Sequence, residues 1–191
     1  SQAYLDFMRQ GWGDRELDLP PHPVAVWARS RRERVADQFP GERLVIPVGT
    51  YKVRANDTDY RFRAETAHTW LCGNQTSDAV LVVEGGESVL YARPRSSRQT
   101  DEFFRDRVYG ELWTGRRPSL HEISDSLGVA TRHLDELPST LSGSGKTRVL
   151  RGVDSRVDSL VSGDDAADKE FAKVLSELRL IKDEWELAEL Q

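Results

Sequence analysis

The side chains able to do chemistry are gathered in one short run. Between Arg54 and Gly73 the chain carries Asp57, Asp59, Glu65 and His68, with Asp78 just beyond. Carboxylates with an imidazole can ligate a divalent cation, but only if their donor atoms converge. Nothing in this spacing forces convergence, so structural polar pairing is the expectation. The chain has no H-E-x-x-H. Its four histidines, His22, His68, His121 and His133, fall on different predicted elements. Asp57, Asp59 and Asp78 are also the acids a nuclease or phosphotransferase on a ribonuclease-H-like sheet would use, a reading that metal titration tests. A Ser-His-Asp arrangement lacks its G-x-S-x-G turn.

Two further stretches invite a chemical reading. Gly143-Ser144-Gly145-Lys146-Thr147 resembles the end of a phosphate-binding loop, which needs a glycine five residues before its Gly-Lys pair. That position is Thr140, and Asp135-Glu136-Leu137-Pro138 is no buried strand. A loop leading into a strand is expected instead. The second is Gly110-Glu111-Leu112-Trp113-Thr114-Gly115-Arg116-Arg117-Pro118. Flanking glycines and a proline predict a loop with Trp113 at its tip. A ring that large either folds back onto its own domain or reaches a partner's surface.

Something must hold these residues in place. Within Arg54–Gly73, Asn56 and Asp57 are suited to fixing a turn through side-chain-to-backbone bonds. Tyr60 and Phe62, two apart, share a face if the piece is extended. Trp70 and Leu71 anchor its end in the core. Before it, residues 3–12 suggest a short helix stopped by Gly11 and Gly13. Pro23 suits the first turn of a helix to about Gln38, with Val24, Trp27, Ala28, Val35 and Phe39 as its apolar stripe. Arg29, Arg31, Arg32 and Arg34 lie beside that stripe and, with Glu33 and Asp37 interleaved, read as a solvated face.

Strands are expected at Arg43–Val48, with Pro47 at an edge or strand end, and at Ala79–Glu84, Ser88–Ala92 and Thr147–Gly152. Glu84-Gly85-Gly86-Glu87 signals a hairpin. The continuous run Val80–Val83 predicts a strand covered on both faces. Helices are expected at 101–109, from a capping box at Ser119 and Glu122 through Leu127, at Asp135–Leu141, at Asp164–Leu178 and from Asp183 onward. Strands alternating with helices after an early hairpin give an α/β fold, a mixed central sheet with helices on both faces.

Composition sets the outer limits. A chain of 191 residues can bury one sizeable core. A net charge of −5 argues against unaided binding to nucleic acid. The single cysteine, Cys72, excludes an internal disulfide and a cysteine zinc site. The start lacks a signal-peptide pattern and no apolar run approaches a membrane span. Asn56-Asp57-Thr58 and Asn74-Gln75-Thr76 match the glycosylation pattern and are read as chance. A cytoplasmic location with no membrane partner is expected.

An ordered set of segments resembles one family. The run from Arg54 ends in Thr69-Trp70-Leu71-Cys72-Gly73. Asp78–Val83, Val89–Arg95 and Glu111–Arg116 follow in order, and Glu177–Glu186 comes near the end. Together these resemble the amino-terminal domain of Xaa-Pro aminopeptidases, in the creatinase and prolidase superfamily. Cys72 stands where the family more often has threonine, and Gln99–Tyr109 is longer than the family form.

The resemblance implies a creatinase amino-terminal-like fold over residues 1–178. Residues 179–191 are then a linker and the first part of a catalytic domain. It implies a non-catalytic role in oligomer assembly and closure of the substrate cleft. Catalysis would lie in that other domain, with two divalent metal ions, usually manganese. The fragment itself would hold no cofactor, no metal ligand and no catalytic residue, and would hydrolyse nothing alone. Its implied partners are its own catalytic domain, neighbouring subunits of a homo-oligomer, and a peptide with proline second. Trp113 would line the substrate pocket of an adjacent subunit. A catalytically dead protein-binding relative, or the matching domain of a prolidase or creatinase, are the alternatives.

Overall fold

The aliphatic runs build a sheet that is buried on both sides. The computed structural model describes residues 1–9, 17–98 and 100–191. In chain order, α1 (Gln2–Arg9) and α2 (Ala25–Ala36) precede β1 (Arg43–Pro47), the small hairpin β2 (Val53–Ala55) and β3 (Thr58–Asp59), and α3 (Thr66–Cys72). Then come β4 (Val80–Glu84), β5 (Glu87–Ala92), α4 (Asp101–Arg105), α5 (Glu111–Thr114), α6 (Leu120–Leu127) and β6 (Ala130–His133). A 3-10 turn at Leu134–Glu136 leads to α7 (Leu137–Leu141), β7 (Thr147–Val149), α8 (Ser155–Leu160), α9 (Asp165–Leu178) and α10 (Glu184–Glu189).

The five-stranded sheet has the order β6-β5-β4-β1-β7. β4 pairs antiparallel with both β1 and β5, while β6 and β7 join the two sides in parallel. Alternate residues of each strand serve opposite faces. Leu44, Ile46, Leu81, Val83 and Leu90 meet α2, α3, α6 and α9 through Val35, Leu71, Ile123 and Phe171. Val45, Val80, Val82, Tyr91 and Val149 meet Leu137, Leu141 and Val157 on α7 and α8. This is the expected mixed α/β sheet with helices on both faces.

The Glu84–Glu87 hairpin, the Ser119–Glu122 capping box and the 14-residue helix capped by Asp164 all stand where the sequence puts them. Pro47 is the last residue of β1. Gly11 and Gly13, the expected stops of the first helix, lie outside the described residues.

Several elements differ from the reading, each for a local reason. The helix expected at 101–109 stops at Arg105 because the Asp106 carboxylate accepts the backbone N–H groups of Val108 and Tyr109, both at 2.8 Å. β6 carries no large apolar residue and alternates exposed and half-buried along a sheet edge, so it gives no hydrophobic pattern. Thr66–Cys72 is a helix for which no element was expected. Glu65 caps it by accepting from the His68 N–H at 2.8 Å.

Of the four arginines of α2, Arg29 and Arg34 are exposed as expected, and the other two are not. Arg31 and Arg32 are buried, 3% and 4% exposed. Arg31 donates to the Trp70 carbonyl at 2.9 Å and Arg32 to the Leu71 carbonyl at 2.8 Å. They satisfy carbonyls near the end of α3 that its own short ladder leaves over. Both sit three or four residues from Ala28 and Val35, inside the apolar stripe rather than beside it.

Candidate functional site: the Trp113 end of the domain

The segment after β5 carries the candidate site, and a single tyrosine organises it. Tyr109 lies between two guanidinium groups, with Arg93 at 3.7 Å and Arg117 at 4.4 Å from its ring centroid. Cations stacked on an aromatic face are held by the ring quadrupole, and a partly desolvated stack is stronger than an exposed one. Arg93 is also paired with Glu102 and lies 3.7 Å from Asp106. Burial first, then the like charge of Arg93, pulls the pKa of Arg117 below its ordinary value. The phenol of Tyr109 donates to the Asp78 carboxylate, whose other oxygen takes Arg156. Asp78 thus ties this segment to α8, and its own backbone is left-handed at φ +65°.

On this brace stands α5. Its first residue, Glu111, is buried; its N–H donates to Ser96 Oγ at 3.3 Å and its carboxylate accepts from the Arg117 N–H at 3.3 Å. Gly110 is required by close packing. A Cβ there would sit 2.3 Å from the Asp106 carbonyl oxygen and 2.6 Å from that of Glu102. α5 is therefore pressed onto α4, and Gly110 is set by that packing.

Trp113 is the exposed residue of this unit, 66% accessible, with Leu112 exposed beside it. Its indole N–H donates to the Phe104 carbonyl at 2.7 Å. That bond fixes the edge of the ring while most of the side chain stays exposed. The sequence expected a loop; the ring instead stands on one turn of helix. The β2–β3 hairpin is tied to the same segment. Arg107 reaches the Asp57 carbonyl and lies 3.6 Å from the Asp59 carboxylate. The hairpin turns at Asn56 and Asp57, with Asn56 at φ +48°. Tyr60 is exposed while Phe62 packs on Tyr51 at 5.2 Å, so these two rings do not share a face.

The acids weighed as a metal or nuclease set are engaged separately. Asp59 faces Arg107, Glu65 caps α3, and Asp78 takes Tyr109 and Arg156. His68, on α3, is fully buried, with Nδ1 2.7 Å from the Ile46 carbonyl. Among the described residues no three of His, Cys, Asp and Glu come together as a metal set. The Gly143–Thr147 stretch is a loop entering β7, and Lys146 pairs with Glu42 at 2.9 Å. Among the described residues no helix is long and apolar enough to cross a membrane. The stacked arginines and the buried Glu111 were not singled out from sequence. The signal available was a polar residue at each turn of a short, glycine-bounded segment.

Comparison with known proteins gives the family. The family model described as the aminopeptidase P N-terminal domain matches residues 28–150. Xaa-Pro aminopeptidase 1 of Streptomyces coelicolor is 44% identical over 199 aligned positions, covering 100% of this chain and 40% of that protein. Xaa-Pro aminopeptidase 2 of the same organism is 42% identical, over 96% of this chain and 41% of that protein. The chain thus spans about two fifths of the length of these relatives. Among solved structures, aminopeptidase P from Escherichia coli with the inhibitor Pro-Leu superposes with a TM-score of 0.68 at 21% identity, over 87% of this chain and 41% of that one. Proline aminopeptidase P II from Yersinia pestis gives 0.67 at 23% identity, over 86% and 41%. The two structures share the fold, and the family match and close relatives give the assignment: this chain belongs to the aminopeptidase P N-terminal domain family.

Proposed function

We propose that the chain is the non-catalytic amino-terminal part of a cytoplasmic Xaa-Pro aminopeptidase. It helps assemble a homo-oligomer and closes the substrate cleft. Trp113 is its contribution to substrate binding, offered across to a peptide held by a neighbouring subunit. Hydrolysis of the bond before proline, with two divalent metal ions activating water, belongs to the carboxy-terminal portion of the whole enzyme. The observation that carries this reading is an open indole on a braced turn of helix. A ring 66% exposed gives the isolated domain little packing energy, yet Tyr109, Arg93, Arg117 and Gly110 fix the turn that bears it. Pre-set aromatic surface of this kind is suited to binding, because its ordering cost is met before the partner arrives.

The test grafts residues 1–191 into Xaa-Pro aminopeptidase 1 of Streptomyces coelicolor in place of the matched segment. The chimera is expected to assemble and to cleave Xaa-Pro peptides. Trp113→Ala in it should lower kcat/KM by about tenfold or more, ~1.4 kcal/mol of transition-state stabilisation. A fully active chimera indifferent to Trp113→Ala refutes the substrate role, and an inactive one that folds and assembles refutes the wider reading.

A further inference from the structure

Four arginines are buried among the described residues, and three of them meet a carboxylate. Arg31 pairs with Asp183 at 2.7 Å, Arg43 with Glu84 at 2.8 Å and Arg148 with Glu42 at 2.5 Å. Arg32 is the exception. It is 4% exposed, and its terminal nitrogens donate to two carbonyl oxygens, those of Leu71 at 2.8 Å and Gly128 at 3.4 Å. Among the described residues no carboxylate pairs with it. Two neutral acceptors occupy part of its donor set and leave its charge uncompensated. Burial pulls its pKa below the ordinary value.

Arg32 forms part of the wall of a cavity of about 470 Å³, a volume suited to a small molecule. The cavity lies between α2, the β4–β5 hairpin and the turn from α6 into β6. Its other charged residues are Arg29 and Glu33 of α2, Asp37 at the end of that helix, and Glu87 of β5. All four are exposed, and none forms an ion pair among the described residues. Arg29, Glu33 and Asp37 stand four residues apart, on one column of the helix. At that spacing an opposite pair ordinarily closes on itself and two carboxylates repel. Here the first pair stays open and the second has no cation to relieve it. The wall therefore runs from positive at Arg29 and Arg32 to negative at Glu33 and Asp37.

That order of charges selects a ligand. A simple anion would meet Arg32 but also three carboxylates. A simple cation would suit the carboxylates but add to an unpaired guanidinium. A molecule carrying both charges satisfies both ends. Arg32 and Asp37 are five positions apart, a rise of about 7.5 Å along the helix. An extended two-residue peptide spans about 7 Å, so its two charged ends match that separation. In a free amino acid both charges hang from one carbon.

We propose that the cavity between α2 and the β4–β5 hairpin is a binding site for a short peptide of dipeptide size with both ends free. Its carboxylate pairs with Arg32, assisted by Arg29, and its ammonium is held by Glu33, Asp37 and Glu87. Val83 and Val89 supply apolar wall for its side chains. The site shares no residue with the Trp113 segment and does not depend on how that segment is used.

Isothermal titration calorimetry of the 191-residue chain tests it. L-alanyl-L-alanine should bind at one site per chain. Its N-acetyl form lacks the ammonium and its amide lacks the carboxylate, and each should bind about tenfold or more weakly, as should L-alanine. The double variant Glu33→Gln, Asp37→Asn should make the dipeptide no better a ligand than its N-acetyl form, without moving the thermal transition. Arg32→Gln should remove its advantage over the amide. Should Arg32→Gln fail to fold, the comparison of probes on the unaltered chain decides alone. Absence of saturable binding by L-alanyl-L-alanine overturns the site. So does equal binding of either blocked form or of L-alanine. Displacement of the dipeptide by an equal concentration of inorganic phosphate would mark a plain anion site and overturn it as well. Binding that the Glu33, Asp37 double variant leaves intact puts the peptide elsewhere and has the same consequence.

Discussion

His68 donates from Nδ1 to the carbonyl oxygen of Ile46 at 2.7 Å, joining α3 to the central strand β1. A carbonyl only accepts, so the proton of the neutral ring resides on Nδ1. Nε2 is buried without a hydrogen-bond partner among the described residues. A second proton would have to sit on that nitrogen with nothing to receive it. Burial accordingly pushes the pKa of His68 down from 6.5 to about 4, against the weaker opposing pull of the Ile46 carbonyl.

This makes the domain acid-sensitive in a defined window. The unfolded chain takes up a proton near pH 6.5 and the folded one near 4, so unfolding binds protons between them. The contribution is whole above pH 6.5 and is lost as pH falls toward 4. Its full size is roughly 3 kcal/mol at about 1.4 kcal/mol per tenfold change in proton affinity. Glu42, whose pKa is lowered chiefly by its hydrogen bond from Arg148, adds its loss only below its ordinary value of 4.5. Urea denaturation at several pH values should show stability falling through this window. His68→Gln should be less stable at neutral pH but flatter across it. An equal slope in the variant would assign the effect to other groups.

Trp70 combines core packing with a polar tip. It is 7% exposed and its N–H serves Glu186. Trp70→Ala should cost roughly 3–5 kcal/mol, as large aromatic truncations do. Trp70→Phe keeps most of the packing and should cost about 1–2 kcal/mol, including the lost hydrogen bond. Chemical denaturation ranks the two, and near-equal losses would mean that the polar tip, not the ring, holds α3 in place.

Two glycines flank α5 for different reasons, and substitution separates them. At Gly110 the obstacle is space, because three carbonyl oxygens lie within 3 Å of an added Cβ. At Gly115 the space is open and the backbone is left-handed, φ +81°. Gly115→Ala should cost roughly 2 kcal/mol, the strain of a φ +81°, ψ −178° backbone that essentially only glycine adopts. Gly110→Ala should cost more, about 3 kcal/mol, or force α4 and α5 apart. Denaturation with a circular dichroism readout compares them, and the reverse order would undo the close packing of these two helices.

The sheet was legible because its strands are aliphatic runs bounded by turn residues. Val80–Val83 and the Glu84–Glu87 hairpin announce themselves, as do the capping boxes. α3 was hidden because Arg54–Gly73 changes partner midway. Its first half carries most of the β2–β3 hairpin, and its second half is a seven-residue helix with Trp70 against the core. β6 was hidden because an edge strand of Ala130-Thr131-Arg132-His133 has no apolar alternation. The buried arginines were misread through their charge. Arg31 and Arg32 occupy core-facing positions by helical spacing, and their partners are backbone carbonyls some 39 residues on together with Asp183, 152 residues on. Contacts that remote leave no local signature. At the candidate site the glycine frame singled out Trp113 but left open whether its ring folds inward; the structure exposes it. The Tyr109 stack needed coordinates, because Arg93 and Arg117 come to the ring from 16 residues before it and 8 after.

Trp113 and Tyr109 should separate binding from structure. In the 191-residue chain, Trp113→Ala removes an exposed ring and one hydrogen bond, so stability should change by about 1 kcal/mol or less. Tyr109→Leu deletes the ring between two guanidinium groups and the donor to Asp78, leaving a buried carboxylate short of a partner. That should cost about 2–4 kcal/mol. In the chimeric enzyme both changes should lower kcat/KM on longer Xaa-Pro peptides. Trp113→Phe should distinguish the cause, since it keeps an aromatic face but loses the bond to Phe104. If the face is what the substrate meets, Trp113→Phe retains most of the activity and Trp113→Ala does not. If Phe and Ala variants fall together while Tyr109→Leu is harmless, the indole N–H bond is the feature that matters, and the exposed face has no part in substrate binding.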